Sequence, residues 1–319
     1  MSLFKRRDNK ERMELLNDTS AQYEYKTFQP GEQFPPANSI ERIAKYRRMK
    51  KLFEGKPGDV YERASSILKD TPHAKSLKQL YIAVNIADMV VTKAADLLVG
   101  EPPKFESGQP DGSPEQLTLD SYVEENDLVK LIHESCVGNG YRGDSWLKAR
   151  YGYRQDFSEV TKLGLSVPDS VEMEPIIEHV AADTVFPETS RGNIKSFKAV
   201  NIAAVEYIVT KDTEVPFLNL ERHIPGYIIY ERYRLHEREG GVDASYGYPV
   251  QIYSIGERVP TGKDEEVVET GVPHLLVQQA PYKSVDDDWQ GVGTLEKMET
   301  ILAAINDRLV QIDYILWKH

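Results

Sequence analysis

The stretch ENDLVKLIHESCVGNGYRGDSWLKARY, Glu125–Tyr151, changes its apolar period in mid-course. Leu128, Leu131, Ile132 and Cys136 recur at helical spacing, whereas Trp146-Leu147-Lys148-Ala149, just past Asp144, reads as a strand. Between them Gly138-Asn139-Gly140-Tyr141-Arg142-Gly143 matches G-x-G-x-x-G. A phosphate cradle needs a strand, then the glycines, then the start of a helix. Here a helix comes first and a strand follows, so the glycines read as a helix C-cap with a tight turn.

Working outward, the N-terminal side is helical. Ser39 stands at an N-cap position, and Ile40, Ile43, Ala44, Leu52 and Phe53 form the apolar face of a helix stopped by Gly55. A short helical stretch is expected near 59–68. A longer one is expected over 75–99, ended by Gly100-Glu101-Pro102-Pro103. On the C-terminal side the segments around Ala203–Val209, Ile228–Arg232, Val250–Ser254 and Leu275–Val277 alternate as strands, with tyrosines concentrated in YIIYERYRL, Tyr227–Leu235. Helices, then strands, then one last helix make an α+β chain without βαβ alternation, which excludes a doubly wound nucleotide fold. The expected organisation is an extended arm over 1–38, an α+β body with a mainly antiparallel β-rich part over 39–290, and a long helix over 291–319.

The net charge of −12 is unevenly spread. Residues 1–56 hold 13 Lys/Arg against 8 Asp/Glu, so the remainder carries 26 against 43. Proteins that grip phosphates carry a basic surplus, which this chain lacks beyond its first section. No run approaches a membrane span, and Met1-Ser2-Leu3-Phe4-Lys5-Arg6-Arg7 lacks an apolar signal segment, so the sequence predicts a cytoplasmic product without membrane contact. A single cysteine, Cys136, excludes an intramolecular disulfide and reads as a core residue. Asp286-Asp287-Asp288 lacks the glycine and downstream glutamate of a calcium loop. No nucleophile elbow, HExxH or P-loop occurs, and no cofactor, metal or catalytic constellation is expected.

The end of the chain, TLEKMETILAAINDRLVQIDYILWKH, carries the clearest pattern. Leu295, Met298, Leu302, Ile305, Leu309, Ile312 and Leu316 follow at alternating steps of three and four, a heptad stripe that favours packing along another long helix. The plainer alternative is a helix lying on its own domain's sheet. In KYRRMKK, Arg47, Arg48, Lys50 and Lys51 are either a basic partner patch or the solvated face of an amphipathic helix.

Several stretches together resemble the portal proteins of tailed bacteriophages, in particular the type found in phages of Gram-positive hosts. They are YRRMKKLFEGKPGDVY at 46–61, NIADMVVTKAADLLVGEPPKF at 85–105, the opening stretch at 125–151, AADTVFP at 181–187 and the terminal helix with its preceding GVG. Their order matches the family's order. The resemblance implies a non-enzymatic subunit of a ring, typically dodecameric, at one capsid vertex of the virion, assembled in the host cytoplasm. Through this ring a terminase drives double-stranded DNA without sequence specificity, and the DNA is retained and later ejected. Scaffold, capsid and head-completion proteins are the further partners it implies. In its terms the body is the wing, and the terminal helix opens the stem, interrupted before the clip, second stem helix, tunnel loop and crown.

A channel through which DNA slides is expected to avoid deep phosphate wells, since each displaced counterion adds affinity and therefore friction. Glu299 and Asp313 are the candidate channel-facing carboxylates, with the apolar stripe turned to neighbouring subunits. Two other classes stay open: a head-to-tail adaptor or capsid-associated protein that oligomerises without a channel, and a carboxylate-dependent hydrolase with a cleft in the β-rich half.

Overall fold

The computed structural model describes residues 27–55, 84–190, 192–210, 213–263 and 265–318. The helix expected near 59–68 and the first part of the one expected over 75–99 lie outside them, as does the arm up to residue 26. The chain is α+β, with antiparallel pairing throughout its sheets. It divides into two compact units that cut across the sequence, residues 1–45 with 183–275 and residues 46–182 with 276–319. The expected single body over 39–290 is thus corrected. Strand pairing groups residues far apart in the chain, which no local period reveals.

The first unit is built on a seven-stranded sheet. Its strands are β1 (Gln33–Phe34), β4 (Val185–Ser190), β5 (Asn193–Thr210), β6 (Thr213–Ile224), β7 (Tyr227–Asp243), β8 (Val250–Val259) and β9 (Val267–Glu269). The order is β1-β8-β7-β6-β5-β4, with β9 beside the start of β7. The sheet curls enough for the Tyr207 hydroxyl on β5 to meet that of Tyr253 on β8 at 2.5 Å across two intervening strands.

On its inner face Ala203, Leu218, Leu220, Tyr233, Leu235, Val250 and Ile255 pack with Phe28, Phe34 and Phe186. Residues 27–38, expected to be arm, therefore supply core: Phe28 stands edge-on to Phe186 at 5.4 Å, and β1 pairs with β8. Their Pro/Gly-rich sequence has no period because two isolated phenylalanines, and not a repeating face, do the burying. The first turns of α1 (Ile40–Glu54) complete this core with Ile40, Ile43 and Ala44, and Arg42 donates to the Val185 carbonyl at 2.8 Å.

The same face carries a largely buried ion pair. Glu188 on β4 accepts two hydrogen bonds from the Arg222 guanidinium on β6, one of them at 2.9 Å. Asn201 donates to it at 3.0 Å and Thr27 at 2.9 Å. Burial alone would raise the Glu188 pKa, but the hydrogen bonds and charge of Arg222, with Asn201 and Thr27, outweigh it and hold the carboxyl below its ordinary value.

The second unit combines helices with a three-stranded sheet in the order β10-β2-β3. The strands are β2 (Asp144–Gly152), β3 (Glu174–Val180) and β10 (Val277–Pro281). The helices are α2 (Ile86–Leu98), α3 (Pro114–Glu125), α4 (Leu128–Arg142), the short α5 (Ser158–Lys162) and α6 (Thr294–Lys318). The helical stretch over 114–142 is two helices, because Asn126 and Asp127, the latter at φ 47°, break it. Asn126 earns its place: its side chain accepts from the Ile177 N–H at 2.9 Å and donates to the Pro175 carbonyl at 3.2 Å, covering the edge of β3. Gly143, at φ 98°, ends α4 and opens β2, as expected for a C-cap. Cys136 is half-buried, and burial pushes its thiol pKa up.

Candidate oligomerisation surface

The second unit's apolar core decides what α6 offers to anything else. Met49 from α1, Ala87 and Val91 from α2, Tyr141 from α4 and Leu295 and Leu302 from α6 form one buried cluster. Leu52, Phe53 and Met298 pack against it, with the Phe53 and Tyr141 rings stacked 4.9 Å apart. Leu295 is 0% and Leu302 2% exposed. These two positions of the expected subunit-packing stripe face their own chain, on helices and not on a sheet, so they are corrected from interface to core.

Further along, the stripe leaves the core. Ile305 and Leu309 are half-buried, while Ile312 is 54% and Leu316 73% exposed. The inward position after Leu302 is filled by Asn306, four residues on, and not by Ile305 at the heptad step of three. A heptad row on an undistorted α-helix drifts by only roughly 20° per heptad, so Leu316 is turned about 40° from Leu302. The larger reason for its exposure is that the α6 members of the buried cluster end at Leu302 and the helix runs on past them.

A second set of apolar positions joins the exposed face. Ile301 and Ile315 are both more than half exposed, and Thr300, Ile301, Ala304, Ile305, Arg308 and Leu309 line an open groove. The heptad reading missed Ile301 and Ile315 because they stand one residue off its seam. Ile301, Ile305, Ile312 and Leu316, at steps of four, seven and four, were the signal in the sequence that marks this face.

The candidate polar residues divide. Arg48 lies against α6, with Nε 2.6 Å and Nη2 2.5 Å from Glu299 Oε1. A member of the basic patch and a candidate channel carboxylate thus bind each other within one unit, so Glu299 carries its charge as part of an ion pair. Lys50 is exposed, and Arg47 and Lys51 are half-buried beside the fully buried Met49. Asp313 falls among the side chains outside the described set. Because Arg48 is half exposed, the pair is worth little: a double-mutant cycle with Arg48→Ala and Glu299→Ala is expected to return a coupling of about 0.2–1 kcal/mol, weaker in high salt.

Two further ion-pair clusters of this unit lie at its surface. Asp96 accepts from Lys93 at 2.9 Å and lies 3.0 Å from His133 Nε2, and these partners hold its carboxyl below the usual range. Glu178 lies 3.1 Å from both Lys148 and Arg150 across the β2–β3 pair. Among the described residues no group of three or more His, Cys, Asp or Glu is placed to hold a metal ion, and no helix is long and apolar enough to cross a membrane. No protein-family model matches the chain, and no curated protein matches it.

Proposed function

We propose that this chain is a subunit of a phage portal ring, contributing the wing and the first stem helix to a DNA conduit at one capsid vertex. The observation that carries the reading is the division of α6: rooted through Leu295 and Leu302 in its own unit, it presents Ile301, Ile312, Ile315 and Leu316 to solvent. Four large apolar side chains on one exposed helical segment are costly in water and suit burial against neighbouring helices. The five stretches that resemble portal proteins, in the family's order, supply the class of assembly. The acidic balance of the chain suits a channel that passes DNA without gripping it. Terminase, scaffold, capsid and head-completion proteins are the partners this reading implies, and the virion is the site of action.

The reading makes a mutational prediction. Ile312→Asp with Leu316→Asp is expected to abolish ring assembly in the presence of the capsid and scaffold proteins, while the thermal midpoint of the isolated chain moves by no more than about 2 °C. Particle images of the assembled precursor read the outcome. A ring at a single vertex with the unaltered chain, lost in the variant, supports the proposal. The chain spread over the whole shell, or a ring indifferent to the variant, rejects it.

A further inference from the structure

We infer that Asp144 is the positioning residue for the root of α6, so that Gly291-Val292-Gly293 is a rigid seat and the helix turns as one piece with the three-stranded sheet. Two glycines ahead of a long helix would ordinarily suggest a swivel. The packing around them says otherwise. A Cβ on Gly291 would stand 2.0 Å from the Gly143 carbonyl oxygen, and one on Gly293 would stand 2.9 Å from both the Gly143 nitrogen and the Tyr141 carbonyl oxygen. These glycines permit two backbones to touch, and the freedom their composition offers is removed by that contact.

Asp144 then ties the touching strands together. It is fully buried, and its carboxyl accepts from three separate elements. The Tyr46 hydroxyl on α1 donates to Oδ2, the Gln279 side chain on β10 donates to Oδ1 at 2.5 Å, and the Gly291 N–H donates to the same oxygen at 2.8 Å. The other hydrogen of the Gln279 amide goes to the Trp289 carbonyl at 3.0 Å. Backbone bonds run alongside, from the Tyr282 N–H to the Gly143 carbonyl at 2.8 Å and from the Val292 N–H to the Lys283 carbonyl at 2.9 Å. Arg142 Nε donates to the carbonyl of Asp144 itself at 2.6 Å. In such a network each buried donor left without its acceptor is expensive, so the carboxyl holds all three elements in one arrangement. The inference concerns this unit alone and stands whether or not the chain assembles into a ring.

Spin labels at Tyr151→Cys on β2 and Gln311→Cys on α6, both exposed sites, test it in the full chain carrying Cys136→Ser. The expected result is a single narrow distance distribution, broadened about twofold by Tyr46→Phe and further by Asp144→Ala. In the same variants the Gly291 and Val292 amides should exchange about tenfold faster while those of 146–150 stay within about twofold. If Asp144→Ala does not fold, Tyr46→Phe alone carries the test. A broad distribution in the parent would make the glycine pair a hinge and overturn the inference. Distributions that stay narrow in the variants, or exchange that quickens equally over 146–150, would do the same, the latter because Asp144 would then be a general core residue.

Discussion

Leu295→Ala is expected to cost the chain about 3 kcal/mol of stability, and Leu302→Ala a similar amount, whereas Leu316→Ala should stay within about 0.5 kcal/mol. All three remove the same atoms from the same heptad row, so the difference isolates where each side chain lies. Leu295 and Leu302 are packed among Met49, Ala87, Val91 and Tyr141, and truncation leaves a cavity there, while Leu316 is open to water. Denaturant titration followed by tryptophan fluorescence reads the effect, since Trp146 and Trp289 stand 6.1 Å apart in the same unit. Equal losses at all three positions would mean that the distal helix is buried in the isolated chain, and the case for a free assembly face would fall.

Glu188→Ala is expected to cost about 1–3 kcal/mol, because it leaves the largely buried Arg222 guanidinium without its carboxylate, with only Asn201 Oδ1 at 3.1 Å as acceptor. Glu188→Gln should cost less, since the amide keeps acceptors for Thr27 and Asn201. The pair also predicts a pH dependence. The folded pKa of Glu188 lies below the ordinary value of 4.5, so its contribution is fully present above that value and is lost as the pH falls toward and through the lowered folded pKa. Far-UV circular dichroism during urea titration between about pH 6 and pH 3 measures this, the tryptophans lying in the other unit's segments. The acid-side loss of stability should be shallower in Glu188→Gln than in the parent. Identical slopes would remove Glu188 from the acid response.

The same pair accounts for one element that local patterning concealed. On β6 the inward residues are Leu218, Leu220 and Arg222, and the arginine interrupts the apolar alternation by which a strand is recognised. Its partner Glu188 lies 34 residues away. The strands whose faces stay apolar or tyrosine-rich, β5, β7 and β8, were legible, as were α1, the capping role of Gly143 and the break from helix to strand at Asp144.

For the candidate surface, the amino-acid sequence by itself determined that the chain is α+β, that its last segment is an amphipathic helix, and that the helix carries a heptad stripe. It did so because helical and strand periods are local properties, written within one or two turns. Tertiary structure alone decided that the stripe is divided between core and solvent, that Glu299 pairs with Arg48, and that the glycines before α6 seat it against Gly143. Each of these depends on residues some 150 to 250 positions apart meeting at van der Waals or hydrogen-bond distance. Spacing along one helix cannot say which neighbour arrives to cover it.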